Sequence, residues 1–382
     1  MKRTKVTRPK IIWSAAAVCA VLVLSLVPAV QARTPAAYAA PLISRAAARA
    51  ADLKVRWQTP IGLSRGKHDR VVNLWHVGSL VYVVTSRGYL VAINASSGTI
   101  RWTRQIHGLK ATISRPAISG PHQVVILSST TAYYVNSRTG ADQTKAELPF
   151  PPGTHPVLIP ASRLLVGSLN EGFDALSAVP PFFTEWSEDS PGDSFTSTPV
   201  VAAGTVIFGS RLGYLWGREP ATGNHGWKRK LGGAITAPIT SGDSLVFVPC
   251  RDNNLYAVDA QSGVSPWVTH LPGRLIHRAA VSGKILLVCS AGKGLYALNA
   301  ATGKILWGPV AGITRIAARK RNTLYAVTAG GNLKMLNAAS GRVIDGVRLN
   351  GARFFIYNSA SPVVFIASRA GRVAAIAPRR QW

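Results

Sequence analysis

The sequence predicts an all-β chain whose four-stranded antiparallel blades close into a ring. Three observations predict it. A phrase recurs about every 40 residues, the period of a repeat architecture. Each copy alternates at period two and is rich in β-branched and aromatic residues, which marks strands. The two ends of the repeat region also complement each other: Val55-Arg56-Trp57 is a strand without predecessors, and the copy at 363–373 has no following turn or fourth strand before Trp382. Together these describe an eight-bladed β-propeller, in which an N-terminal strand completes the last blade and leaves no open sheet edge. Seven blades is the alternative if the weakest copy is an insertion.

The chain has 382 residues, with 44 Lys+Arg against 15 Asp+Glu and a formal charge of +29. Apolar residues make up 47%, enough to bury a core and to exclude disorder. Three cysteines exclude a disulfide-stapled scaffold and a four-cysteine zinc site.

Residues 1–32 come first. Lys2, Arg3, Lys5, Arg8 and Lys10 precede the apolar run Ile11 to Val30, and Val30-Gln31-Ala32 supplies small residues for cleavage. This is the pattern of a secretory signal peptide; an uncleaved membrane anchor over 11–30 is the competing reading. Cys19 sits mid-run behind Val18, so it does not form a lipidation motif. Loss of 1–32 removes five positive charges and no acid, leaving +24. Residues 33–52 form an Ala/Arg-rich linker, with Arg45 and Arg49 at i, i+4 on a short helix, expected to act as a spacer or tether.

The blades occupy 53–382. The turn glycines Gly98, Gly140, Gly223, Gly263, Gly303 and Gly341 mark the copies, with a double gap between Gly140 and Gly223. That gap holds a degenerate copy at 164–186, where Pro180-Pro181 replaces the Ser/Thr-Gly turn. Within a unit the first strand follows a Pro-apolar phrase such as Arg115-Pro116-Ala117-Ile118. In the copy at 245–267 the second strand is Leu245–Val248, the third Leu255–Asp259, and the fourth begins near Trp267. Asn or Asp opens the third turn because its side chain bonds the backbone ahead, and Gly ends it because the turn needs φ > 0.

The phrase Gly294-Leu295-Tyr296-Ala297-Leu298-Asn299-Ala300-Ala301-Thr302-Gly303-Lys304-Ile305-Leu306-Trp307 resembles the pyrroloquinoline-quinone-type propeller repeat, and the resemblance covers nearly all of 53–378. It implies that Trp57, Trp102, Trp186, Trp227, Trp267 and Trp307 dock between adjacent blades. It also implies one of two branches. Quinoprotein dehydrogenases need acid and amide ligands for calcium, a catalytic Asp and often adjacent cysteines. The other branch is non-enzymatic and includes the propeller of outer-membrane-protein assembly.

The residues favour the second branch. There is no adjacent cysteine pair and no nucleophile–His–acid constellation; His68, His76, His107, His122 and His225 fall in turns or strand edges. No catalytic residue, metal or cofactor is expected. The acidic stretch with Glu185, Glu188, Asp189 and Asp193 matches no EF-hand spacing and is expected as a solvated loop. Cys250 and Cys289 are one position out of phase on neighbouring blades, so they either approach each other or both point away. Two buried free thiols are expected in preference to a bridge.

The basic excess has one focus. The inner strands place Arg115, His155, His277, Arg278, Arg315 and Arg353 around the channel, so an anion-binding channel mouth is expected, with its field focused by low-dielectric walls. A one-residue slip would turn any of these side chains to the other face. The resulting expectation is an exported, periplasmic or extracellular monomer acting as a protein-binding scaffold. An acidic polymer or anionic lipid is the alternative partner, membrane association runs through the N-terminal segment, and nucleic acid is not a partner.

Overall fold

Period-two runs separated by tight turns fold here into eight separate four-stranded antiparallel sheets, joined in sequence order. The computed structural model describes residues 41–63, 68–106, 112–159, 163–170, 172–358 and 361–379. The signal segment 1–32, the start of the linker and His107 lie outside them. Blade five shows the pattern: Thr240–Ser241 innermost, then Leu245–Pro249, Asn254–Asp259 and Trp267–His270 outermost. The degenerate copy is a full blade, built from Val157–Ile159, Arg163–Gly167, Gly172–Ser177 and Thr184–Asp189. The count is therefore eight.

The eighth blade joins both ends of the repeat region. Ala352–Phe355, Val364–Ser368 and Arg372–Pro378 supply its inner three strands, and Leu53–Pro60 supplies the outer one. The register runs from Leu53 opposite Pro378 to Pro60 opposite Arg372, with a bulge between Val55 and Trp57.

Middle strands are buried on both faces because each sheet is sandwiched between two others; every residue of Leu80–Thr85 is buried. Apolar side chains collect in eight clusters, one at each seam between neighbouring blades. At about 25 cal/mol per Å² of apolar surface removed from water, these seams hold the ring together.

Six seams share one clasp. The indole N–H groups of Trp57, Trp102, Trp186, Trp227, Trp267 and Trp307 donate to the carbonyls of Ala95, Ser137, Pro220, Ala260, Ala300 and Ala338, at 2.9–3.2 Å. Each acceptor belongs to the third turn of the next blade. The turn's glycine lies flat on the same ring: a Cβ on Gly303 would fall 2.4 Å from Trp267, at a φ of +70°. Glycine is thus required twice, for the backbone conformation and for the close approach. Asn299 shapes this turn by accepting from the N–H groups of Ala301 and Thr302 at 2.9 and 3.1 Å.

The other two seams have lost both halves of the clasp. Blade two ends in Asp142–Glu147 without a tryptophan, and blade three lacks the turn glycine. There the Tyr134 hydroxyl donates to the Ala178 carbonyl, and its ring stacks on Phe182 at 6.3 Å. Blade seven ends in Val343–Val347, also without tryptophan. Its seam with blade eight is filled by residues 41–51. Leu42 and Ile43 are each 1% exposed and share a cluster with Val347 and Leu349. The Ile43 carbonyl accepts from the Gln58 side chain at 2.9 Å, and the Leu42 carbonyl accepts from the Asn350 N–H at 2.7 Å. Ser44 caps the short helix Arg45–Ala50. The second half of the expected spacer thus packs against the ring, while Arg45 and Arg49 stay exposed.

Candidate functional site: a cationic channel

The inner strands begin at one end of the central channel, and the basic residues sit there. Arg115 and His155 stand immediately before the inner strands Ala117–Gly120 and Val157–Ile159. His277 and Arg278 precede Ala280–Ser282, and Arg315 lies within Ile313–Lys320. Pro116 and Pro156 follow Arg115 and His155 and start their strands without needing a ladder N–H.

Arg115, His155 and Arg278 come from blades two, three and six yet feel one another's charge. Burial, then the guanidinium groups of Arg115 and Arg278, hold the His155 pKa down at about 4. Burial and then Arg115 lower the pKa of Arg278. The backbone N–H of Arg115 donates to His155 Nδ1 at 3.1 Å, and Trp75 meets the same imidazole edge-on at 5.8 Å. His76 is also held below its ordinary pKa by burial and by Arg115. A neutral His155 therefore sits near two charged guanidiniums, and a neutral His76 near one.

A second group adjoins the first. Burial, then Arg315, lowers the pKa of His277, and both residues border one cavity with Arg278 and Tyr357. Arg353 is different: it is exposed on Ala352–Phe355, and no hydrogen bond or ion pair joins it to the others among the described residues. Phase decides this, since neighbouring residues of a strand face opposite ways. Tyr357 and His76 were not among the expected channel-mouth residues. Tyr357 lies just beyond its strand, where no period-two pattern marks its direction.

Among the described residues no carboxylate borders this cavity. Glu188 accepts from Trp216 Nε1 at 2.7 Å and pairs with Arg218 at 2.6 Å; Glu185 pairs with Arg163. Asp193 is 1% exposed and accepts from the N–H groups of Ser194 and Leu212 at 2.7 and 3.0 Å. The stretch expected as a solvated loop thus contains part of an outer strand, Thr184–Asp189, and a buried loop-fixing aspartate. A hard cation takes oxygen ligands, whereas the channel groups are guanidinium and imidazole nitrogens. That donor set does not suit the calcium that accompanies the quinone in the dehydrogenase branch.

Cys250 and Cys289 are both free and buried. Cys250 belongs to the seam of blades four and five, Cys289 to that of blades six and seven. They point away from each other, the second of the two arrangements their phase allows. Burial pushes the thiols up, to about 11 for Cys250 and about 12 for Cys289.

Eight blades, clasped at six of their eight seams by tryptophan against turn glycine, define a propeller of the pyrroloquinoline-quinone type. A family model described as outer membrane protein assembly factor BamB matches residues 44–229 and 213–381. The chain belongs to this family. A curated relative, the outer membrane protein assembly factor BamB of Yersinia pestis, is 26% identical over 128 residues, which is 30% of this chain and 33% of the relative. The matched stretch thus spans a third of that protein's length. The crystal structure of BamB from Moraxella catarrhalis superposes with a TM-score of 0.67 at 16% identity, over 85% of this chain and 99% of that one. The quinohemoprotein alcohol dehydrogenase of Comamonas testosteroni gives 0.65 at 12% identity, over 88% and 78%. At such identities the two solved structures share the fold alone.

Proposed function

We propose that the chain is a non-enzymatic, exported scaffold that holds a protein partner at the cell envelope. The family match carries this reading, because its two segments run through all eight blades and its description is that of an assembly factor. The N-terminal pattern of 1–32 supports export, and the cationic donor set of the channel argues against a quinone–calcium centre. A fold of this kind hosts many functions, so the test must separate binding from chemistry.

Photo-crosslinking from rim positions of the full chain in living cells is expected to give discrete adducts to an integral envelope protein. Purified protein supplied with quinone and calcium is expected to show no dye-linked alcohol oxidation. Oxidation above the protein-free rate, or no adduct from any blade rim, would overturn the proposal.

A further inference from the structure

Where the inner strands of blades six, seven and eight meet the channel, the side chains leave a cavity of about 150 Å³. Its walls differ in chemistry. Leu287, Ile316 and Phe355 give an apolar side, while Arg278, Arg315 and Tyr357 give a polar one. Arg278 is exposed to solvent where it borders the cavity, so the cavity is open on that side.

The positive charge here is unmatched. Among the described residues neither Arg278 nor Arg315 forms an ion pair. The Arg315 Nε is buried without an acceptor. A guanidinium N–H enclosed without an acceptor, as at Arg315, has given up hydration without compensation, and burial lowers the pKa of both Arg278 and Arg315. Arg115 adds further positive potential across the channel. An anion entering this space gives the Arg315 guanidinium the acceptor it lacks and meets Arg278 from the open side, because a guanidinium fork matches an oxyanion in two parallel hydrogen bonds.

Size and wall chemistry narrow the class. A cavity of about 150 Å³ suits a compact acid better than a polymer strand. A bare inorganic anion would leave the Leu287–Phe355 side wet, whereas an apolar body displaces poorly held water from it. We propose that this cavity binds a small organic carboxylate with a compact apolar body, its acid group on Arg278 and Arg315 and its carbon skeleton against Leu287, Ile316 and Phe355. The site is separate from the docking of a protein partner and does not rest on it.

The test is titration calorimetry of the purified chain with benzoate, benzamide and inorganic phosphate. Benzoate is expected to bind at one site per chain. Benzamide, equal in shape but uncharged, is expected to bind at least tenfold more weakly, and phosphate, which lacks the apolar body, likewise. Arg278→Gln and Arg315→Gln should each weaken benzoate binding tenfold or more. Arg315→Lys, which keeps the charge, guards against a folding defect, and Phe355→Ala should weaken benzoate without affecting phosphate. Equal binding of benzoate and benzamide, or unchanged affinity in Arg278→Gln, would overturn the anion half. Phosphate binding as tightly as benzoate would overturn the apolar half. No benzoate binding to the native chain overturns the whole and leaves the scaffold reading untouched.

Discussion

Replacing Gly303 with alanine tests the seam clasp most directly. At φ +70° an alanine carries a backbone cost of about 1–2 kcal/mol, because the left-handed region crowds Cβ against the carbonyl. Its Cβ would also fall 2.4 and 2.6 Å from the Trp267 ring and 2.7 Å from Thr269 Oγ1. Such overpacking adds about 1–3 kcal/mol, for about 2–5 kcal/mol in all. Gly283 is the control: its φ is +60° and a Cβ there meets nothing within 4 Å, so Gly283→Ala should cost only the backbone share. The assay is the urea midpoint of each variant, followed by near-UV circular dichroism. Combining Gly303→Ala with Trp267→Ala should recover part of the loss, since the second change removes the obstructing ring. Equal midpoints for Gly303→Ala and Gly283→Ala, or strict additivity in the double variant, would refute the clasp.

Other outcomes follow from the same geometry. Leu42→Ala and Ile43→Ala should each destabilise the fold by about 2–5 kcal/mol, measured by thermal melting, whereas a free spacer would show no change. Cys250 and Cys289, buried and with raised pKa values, should resist a thiol reagent at pH 8 until urea unfolds the chain, and reductant should leave the melting temperature unchanged. His155 has a folded pKa of about 4, below the ordinary 6.5, so the unfolded chain binds its proton more readily. Its contribution to stability is complete above about pH 6.5 and is lost as pH falls toward 4. In His155→Gln the decline over that window should be shallower by up to one proton, read from urea midpoints at a series of pH values.

Much of the ring was legible because its signals are local. Turn glycines, the Asn or Asp before them and the tryptophans after them sit within one short phrase, and the structure uses each where the repeat put it. The weak third copy is also readable as a blade, and the sequence carries a further signal at its seam with blade two. Blade two lacks its tryptophan just where blade three lacks its glycine, and the paired loss marks one seam with another kind of packing. The channel was harder. Whether Arg278 or Arg353 meets its neighbours depends on strand phase, and the approach of Arg115 to Arg278 joins blades two and six across the axis. The packing of Leu42 and Ile43 was hidden because residues 33–52 carry too few large apolar residues to show a period.

The closing sheet also sets an order of events. Seven blades take all their strands from contiguous stretches of chain, so each can pair as soon as its own residues are available. The eighth cannot: Leu53–Pro60 finds its partner only when Arg372–Pro378 arrives. Contacts so distant in sequence are slow to form. Until they do, Leu53–Pro60 is an unpaired strand with Leu53 and Trp57 uncovered, and blade one has an uncovered face. A chain crossing a membrane in the N-to-C direction would carry that exposed surface for nearly its whole passage. Closure of the ring is therefore a late, single commitment, and the interval before it is when the protein most needs shielding from its own copies.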